Sequence, residues 1–235
     1  MPGALSEWGV FPEAYLIRKP RNLSMVEGST LACAALTAWD ALYGLEGKAV
    51  KAGDWVLTQG SGGVSCFAVQ FAKAAGAIVV ATTSSEEKAE RLRALGADYV
   101  FNYRERADWG AAAAALSPLG EGVDVVVEVG GATTLKQSLA AVKSGGLVSL
   151  VGFRGGAVSD AELEPKLLDM FFRFCVVRTS FVGPRPHYEA MNRVIEAAGI
   201  QPAVDERVFG FEEAREAFAY METQGHFGKV CVKID

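Results

Sequence analysis

An apolar run ends in glycines and gives way to a helical period between Val56 and Ala75. The residues Val56-Leu-Thr-Gln-Gly-Ser-Gly-Gly-Val-Ser65 read as a strand, a tight turn and the opening of a helix, and a second strand follows at 78–82. Such a turn aims backbone N–H groups and the positive end of a helix dipole at one spot, which suits a pyrophosphate. Gly60 permits the turn, Gly62 lets a phosphate approach the backbone, and Ser61, Gly63 and Val64 complete the loop. The third position of this glycine fingerprint is Ser65, small enough to keep helix and strand close. The expectation is a dinucleotide site.

Apolar runs alternate with helical periods along most of the chain. Strands are predicted at 55–58, 78–82, 99–101, 123–128, 147–151 and 176–181, with helices at 63–75, 86–95, 108–116, 133–142 and 163–172. Ser24-Met-Val-Glu27 is a capping box that opens a long helix reaching about Leu45. The tail adds helices at 188–198 and 212–223 and a strand at 229–232. Segments such as Val123-Asp-Val-Val-Val-Glu128 are nearly continuous apolar runs, as in parallel strands covered on both faces. The fold class is therefore α/β, a doubly wound parallel six-stranded sheet. The alanine run 111–115 reads as a helix surface.

Length, charge and cysteine use narrow the function. At 235 residues the chain holds one α/β domain with additional segments. A net charge of −5 without a Lys/Arg block argues against a nucleic-acid surface. Cys33, Cys66, Cys175 and Cys231 are widely spaced, with no metal-ligand spacing, and fit reduced thiols. No apolar run spans a membrane and no leader opens the chain, so a cytoplasmic protein is expected.

The order of motifs resembles the medium-chain dehydrogenase/reductase superfamily, in its branch of zinc-type alcohol dehydrogenases and quinone reductases. The residues that carry the likeness are Thr30-Leu-Ala-Cys-Ala-Ala-Leu-Thr-Ala-Trp39, Thr58-Gln-Gly-Ser-Gly-Gly-Val-Ser65, Ala94-Leu-Gly-Ala-Asp98, Asn102-Tyr103, Val129-Gly-Gly131, Leu150-Val-Gly-Phe153 and His226-Phe-Gly-Lys-Val230. The resemblance implies a Rossmann domain over 24–200. It also implies a remnant of a GroES-like catalytic domain at 1–23 and a tail, 201–235, that returns to that remnant. Most of that catalytic domain, with its usual zinc ligands, is expected to be missing.

The likeness also assigns candidate residues. Cys33 falls where zinc-dependent relatives place a metal ligand, but its usual companions are absent; a small side chain on a buried helix face is the other reading, and no metal is expected. Thr37, one turn later, either lies against the nicotinamide or bonds back to its own helix. After the second strand no carboxylate appears before Glu86, so nothing there repels a 2′-phosphate. Ser84, Lys88 and Tyr103 match positions that hold this phosphate in NADP-using relatives, which favours NADP(H); alternatively Ser84 is a helix N-cap and Lys88 a solvated side chain. The strand-end residues Val129, Gly130, Val151, Gly152, Phe153, Phe181 and Val182 are expected at the nicotinamide and ribose. Lys229 is either at the pyrophosphate or on the surface.

No nucleophile–base arrangement stands out. Thr37, His187 and Tyr188 are the weak catalytic candidates, and the favoured reading of His187 and His226 is as surface histidines. Three functions remain open. One is an NADPH-dependent, zinc-independent reductase of a carbonyl, enone or quinone, acting on a small molecule. Another is a repurposed non-redox enzyme, such as a cyclase, isomerase or dehydratase. The third is a non-catalytic NADPH-binding subunit. The segment from Cys175 to Val182 reads as an exposed edge strand, so a homodimer through that edge is expected.

Overall fold

The computed structural model describes residues 3–153, 155–156 and 166–234. Helix α1 (Met25–Ser29) opens on the anticipated capping box: Ser24 Oγ accepts from Glu27 N at 3.2 Å, and Glu27 Oε2 accepts from Ser24 N at 2.7 Å. The long helix predicted to Leu45 is not uniform. A π-helical turn, Leu31–Ala35, joins α1 to α2 (Leu36–Tyr43).

Six strands follow, each separated from the next by a crossover. They are β1 (Trp55–Gln59), β2 (Ile78–Thr83), β3 (Tyr99–Asn102), β4 (Val123–Glu128), β5 (Val142–Leu150) and β6 (Val176–Thr179). Their order is β3-β2-β1-β4-β5-β6 and every pairing is parallel. The chain first winds outward through β2 and β3, then crosses to β4 beside β1. The switch point between β1 and β4 is where open sheets of this kind take ligands. Strand β5 begins earlier than predicted, because Val142 already pairs with Val123 before a register shift brings Leu147 opposite Val125.

The crossover helices are α3 (Gly63–Ala74), α4 (Glu86–Ala94), α5 (Trp109–Leu116), α6 (Ala132–Ala141) and α7 (Leu167–Arg173). The start predicted for α7, at 163–165, lies outside the described residues. Alternation along each strand feeds two cores. Val56, Val79 and Val127 point with Trp39, Leu42, Phe67 and Phe71 into one. Leu57, Val80 and Val126 point with Trp109, Leu135 and Leu139 into the other. Each such side chain contributes about 1.5–3 kcal/mol on burial. The alanine run is not merely a surface. Ala113 and Ala114 are buried, and Gly110 lies directly on the backbone of Gln137, so small residues let α5 and α6 pack closely.

Helix α8 (Arg185–Ala198) covers the first core through Met191 and Ile195. Residues 14–22 run along it: Arg185 donates to Ala14 O and Leu16 O, Asn192 to Arg18 O, and Asn22 to Ile195 O. After α8 the structure holds a strand the sequence reading missed, β7 (Val204–Gly210), followed by α9 (Ala214–Glu222) and β8 (Lys229–Lys233). Strands β7 and β8 form their own parallel pair. The charged run Asp205-Glu-Arg207 hides the strand period of β7. Buried Asp205 instead accepts from Arg207 N, Tyr220 OH and Phe227 N, which locks the unit together. Among the described residues no helix is long and apolar enough to cross a membrane.

Candidate dinucleotide site

The glycine turn leaves β1 at Gly60, whose φ of +75° lies in the left-handed region. Gly60 N donates to Thr82 O at 2.8 Å, so the turn stays level with the end of β2. Gly62 is the N-cap of α3, which has no side-chain cap. No atom lies within 4 Å of where a side chain would begin at Gly60 or Gly62. The result is open, bare backbone at the positive end of a 12-residue helix, an arrangement that suits a diphosphate. Ser65 is almost fully buried and donates to Gln59 O at 2.5 Å, so the serine stitches helix to strand where a glycine would only leave room.

The C-terminal unit closes one side of this turn. Gly228 N donates to Ser61 O at 2.9 Å, and Gly62 and Gly228 form a parallel bridge. This docking carries Lys229 across the start of α3, where its side-chain stem lies on Gly63. Ala34 Cβ, from the π-helical turn, presses on Gly63 from the other side, 3.1 Å from where a side chain would begin. The loop is thus walled by both flanking segments and open at its centre, with Val64 packed inward on the core.

At the other flank, β2 ends in buried Thr82 and Thr83 with no carboxylate. Ser84 is half-buried. The N-cap of α4 is Ser85, not Ser84: its Oγ accepts from Lys88 N at 3.4 Å. Lys88 Nζ donates to Gln224 O at 2.9 Å, on the loop after α9, rather than standing free in solvent. Tyr103 N donates to Thr83 O at 2.9 Å, and its ring is exposed beside that strand end. Glu86, the first carboxylate, is engaged by Arg93 at 2.5 Å.

Between β1 and β4 the structure reveals a network that the sequence reading passed over. Glu128 is 0% exposed. Its Oε1 accepts from Gly130 N at 2.7 Å, Gly131 N at 2.9 Å and Thr134 Oγ1 at 2.5 Å. Its Oε2 accepts from Gln59 Nε2 at 2.8 Å and from Ser138 Oγ. Gln59 Oε1 in turn accepts from Val129 N at 3.1 Å and Gly130 N at 3.3 Å. A buried carboxylate with this many donors is well compensated. It pins the loop 129–131 at the switch point and uses up the N–H groups of Val129 and Gly130. That loop abuts the next one: a side chain on Gly131 would begin 2.8 Å from Phe153 Cα, and one on Gly152 3.1 Å from Val129 O. Val151 and Gly152 are half-buried there, whereas Phe153 is 85% exposed.

Thr37 is 5% exposed, and its Oγ1 donates to Cys33 O at 2.7 Å. Its hydroxyl proton is therefore committed to its own helix, while the oxygen keeps accepting capacity. Cys33 does not lie on a buried helix face: it is exposed, within the π-helical turn Leu31–Ala35. Among the described residues no three His, Cys, Asp or Glu side chains converge as a metal site. Burial pushes the Cys66 thiol up to about 12, which favours the neutral thiol. His187 is not a plain surface histidine: its Nδ1 lies 3.1 Å from Asp40 Oδ1. Tyr188 is half-buried against the core, and burial raises its pKa. His226 packs beside Tyr220, with ring centroids 6.4 Å apart. After β6, Val182 is packed against the core with φ +61°, and Phe181 is 91% exposed.

A family profile described as zinc-binding dehydrogenase matches residues 63–198. A zinc-type alcohol dehydrogenase-like protein of Schizosaccharomyces pombe is 41% identical over 233 residues, 99% of this chain and 67% of that protein. An NADPH-dependent alkenal/one oxidoreductase, chloroplastic, of Arabidopsis thaliana is 31% identical over 232 residues, 98% of this chain and 53% of that protein. The crystal structure of an NAD-dependent alcohol dehydrogenase superposes with a TM-score of 0.87 at 32% identity, covering 99% of this chain and 66% of that one. The chain thus spans about two thirds or less of the length of these relatives. With the six-stranded order, the glycine turn and these matches together, the chain belongs to the zinc-binding dehydrogenase family of the medium-chain dehydrogenase/reductase superfamily and carries its Rossmann part.

Proposed function

We propose that the chain binds NADP(H) and forms the nucleotide-holding part of an oxidoreductase that reduces a small carbonyl compound, enone or quinone. The observation that carries this reading is the open backbone hollow at Gly60 and Gly62 against the start of α3. The 2′-phosphate preference rests on the end of β2, where Ser84 and Lys88 stand in place of a carboxylate. Lys88 already lies at that corner, held by a neutral carbonyl that it can exchange for a phosphate. The NADPH named for the plant relative supports the same choice.

Bound NADPH supplies the reducing equivalent. The residues of this chain orient it. Lys229 would screen the diphosphate, and the loops at 129–130, 151–153 and 181–182 together with Thr37 would hold the nicotinamide end. The proposed reductase is zinc-independent, and Cys33 is not a ligand in it. In this scheme the chain comprises a remnant of a catalytic domain at 1–23, a nucleotide-binding domain at 24–200 and a returning tail at 201–235. On this reading it works in the cytoplasm as a homodimer through the edge of β6, where Val176 is exposed and is preceded by the exposed Phe171 and Phe172 of α7 and Phe174 at its end. The exposure of Cys33, Phe153 and Phe181 supports a second reading, in which the chain only holds nucleotide and another polypeptide completes the cleft.

Titration calorimetry with NADPH and NADH tests the binding step. NADPH is expected to bind more tightly, and absence of heat with either nucleotide overturns the proposal. Consumption of NADPH with enones or quinones then separates the reductase from the pure binding subunit.

A further inference from the structure

Helix α2 brings a second polar residue to the carboxyl edge of the sheet, one helical turn beyond Thr37. Asp40 is 8% exposed. Its Oδ2 accepts from Ser180 Oγ at 2.7 Å and from the Arg178 guanidinium, while its Oδ1 faces His187 Nδ1 at 3.1 Å. Arg178 belongs to β6, Ser180 follows that strand, and His187 lies in the first turn of α8. One carboxylate therefore ties three successive points of the β6–α8 connection to α2.

The connection it holds is conformationally unusual. Val182 has φ +61°, a left-handed backbone that a β-branched residue rarely adopts. Such a shape persists only where the surroundings impose it. The surroundings here are specific. Ser180 N donates to Leu150 O at 2.9 Å, which keeps the turn level with β5. Gly183 lies flat on α2, where a side chain would begin 3.2 Å from Leu36 Cδ1 and 3.4 Å from Asp40 Cβ. The turn also stands at the strand edge where ligands enter such sheets.

We infer that Asp40 is a positioning residue for the nicotinamide end of the site. It fixes the backbone at 180–182 in the shape that presents this segment to the nicotinamide, without itself touching the nucleotide. This rests on the NADP(H) reading above. The adenosine corner at Ser84, Lys88 and Tyr103 follows β2 and β3, on the far side of β1 from β6. A defect at Asp40 is thus confined to one half of the ligand.

The test compares NADPH with 2′,5′-ADP, which lacks the nicotinamide half, by calorimetry on the full chain and on Asp40→Ala, Asp40→Asn and Ser180→Ala. Asp40→Ala is expected to weaken NADPH about tenfold or more while leaving 2′,5′-ADP within about twofold. Asp40→Asn retains an acceptor for Ser180 but not the charge opposite Arg178, so it should fall between wild type and Asp40→Ala. Ser180→Ala, which keeps the Arg178 pair, is also expected to lose NADPH selectively; it carries the test if Asp40→Ala does not fold. Equal weakening of both ligands means a general structural role and overturns the inference, as does unchanged NADPH affinity in all three variants. If the wild-type chain binds neither ligand, the cofactor reading itself falls, a result distinct from either of those.

Discussion

Replacing Glu128 with alanine should cost the fold about 3–5 kcal/mol. The figure follows from what the carboxylate satisfies. It is wholly buried and accepts from Gly130 N, Gly131 N, Thr134 Oγ1, Gln59 Nε2 and Ser138 Oγ. Each hydrogen bond to a charged group is worth roughly 1.5–3 kcal/mol, and a stranded buried donor costs about 1–3 kcal/mol. The losses do not sum, because Gln59 Nε2 already lies 2.7 Å from Ser138 Oγ and those two groups can satisfy each other. Gly130 N keeps a longer contact to Gln59 Oε1 at 3.3 Å, but Gly131 N has no such substitute. For a chain of this size the expected fall in Tm is about 10 °C, at roughly 2–4 °C per kcal/mol. Glu128→Gln keeps one acceptor and turns donors toward Gln59 and Ser138, so about half that loss is expected. Urea unfolding followed by far-ultraviolet circular dichroism measures both. A loss below about 1 kcal/mol for Glu128→Ala would show that water replaces the carboxylate freely and that the network does not fix the loop.

Other consequences are equally concrete. Gly62 has φ −79° and open space around it, so Gly62→Val should leave Tm within about 3 °C while reducing nucleotide affinity at least about a hundredfold. A thermal scan with and without NADPH reads both effects. Lys88→Ala should lower NADPH affinity about tenfold and leave NADH unaffected; equal loss of the two nucleotides would remove Lys88 from the 2′-phosphate site. The chain should sediment as a dimer, and Phe171→Asp combined with Val176→Lys should convert it to a monomer; a monomeric wild type at micromolar concentration contradicts the edge-strand assembly.

What the sequence made legible was local. The capping box at Ser24 and Glu27, the glycine turn and the apolar runs of β1, β2 and β4 each sit within a few residues and carry their own period. The family likeness then ordered them. What stayed hidden depends on distant partners. Strand β7 exists because β8 pairs with it, and Asp205, which looks like a surface charge, is one of its internal anchors. Cys33 and Thr37 were placed on one face by ordinary helical spacing, but the π-helical turn at Leu31–Ala35 leaves Cys33 outside and Thr37 inside. Asp40 and Glu128 carried no motif at all. Their importance comes from donors such as Arg178 and Ser138, far along the chain, that only the folded molecule assembles around them.

The seam between Ser61–Gly62 and Gly228 has a temporal side. The glycine bend is synthesised early, but its neighbour arrives only after β7 and α9 have been made. Until that late segment docks, Lys229 is not in place and one wall of the hollow is missing. A nucleotide stabilises only a conformation that already binds it. In a chain still emerging from the ribosome, a nucleotide at this turn would therefore have little to grip, and its protective effect should switch on abruptly once the final stretch has seated.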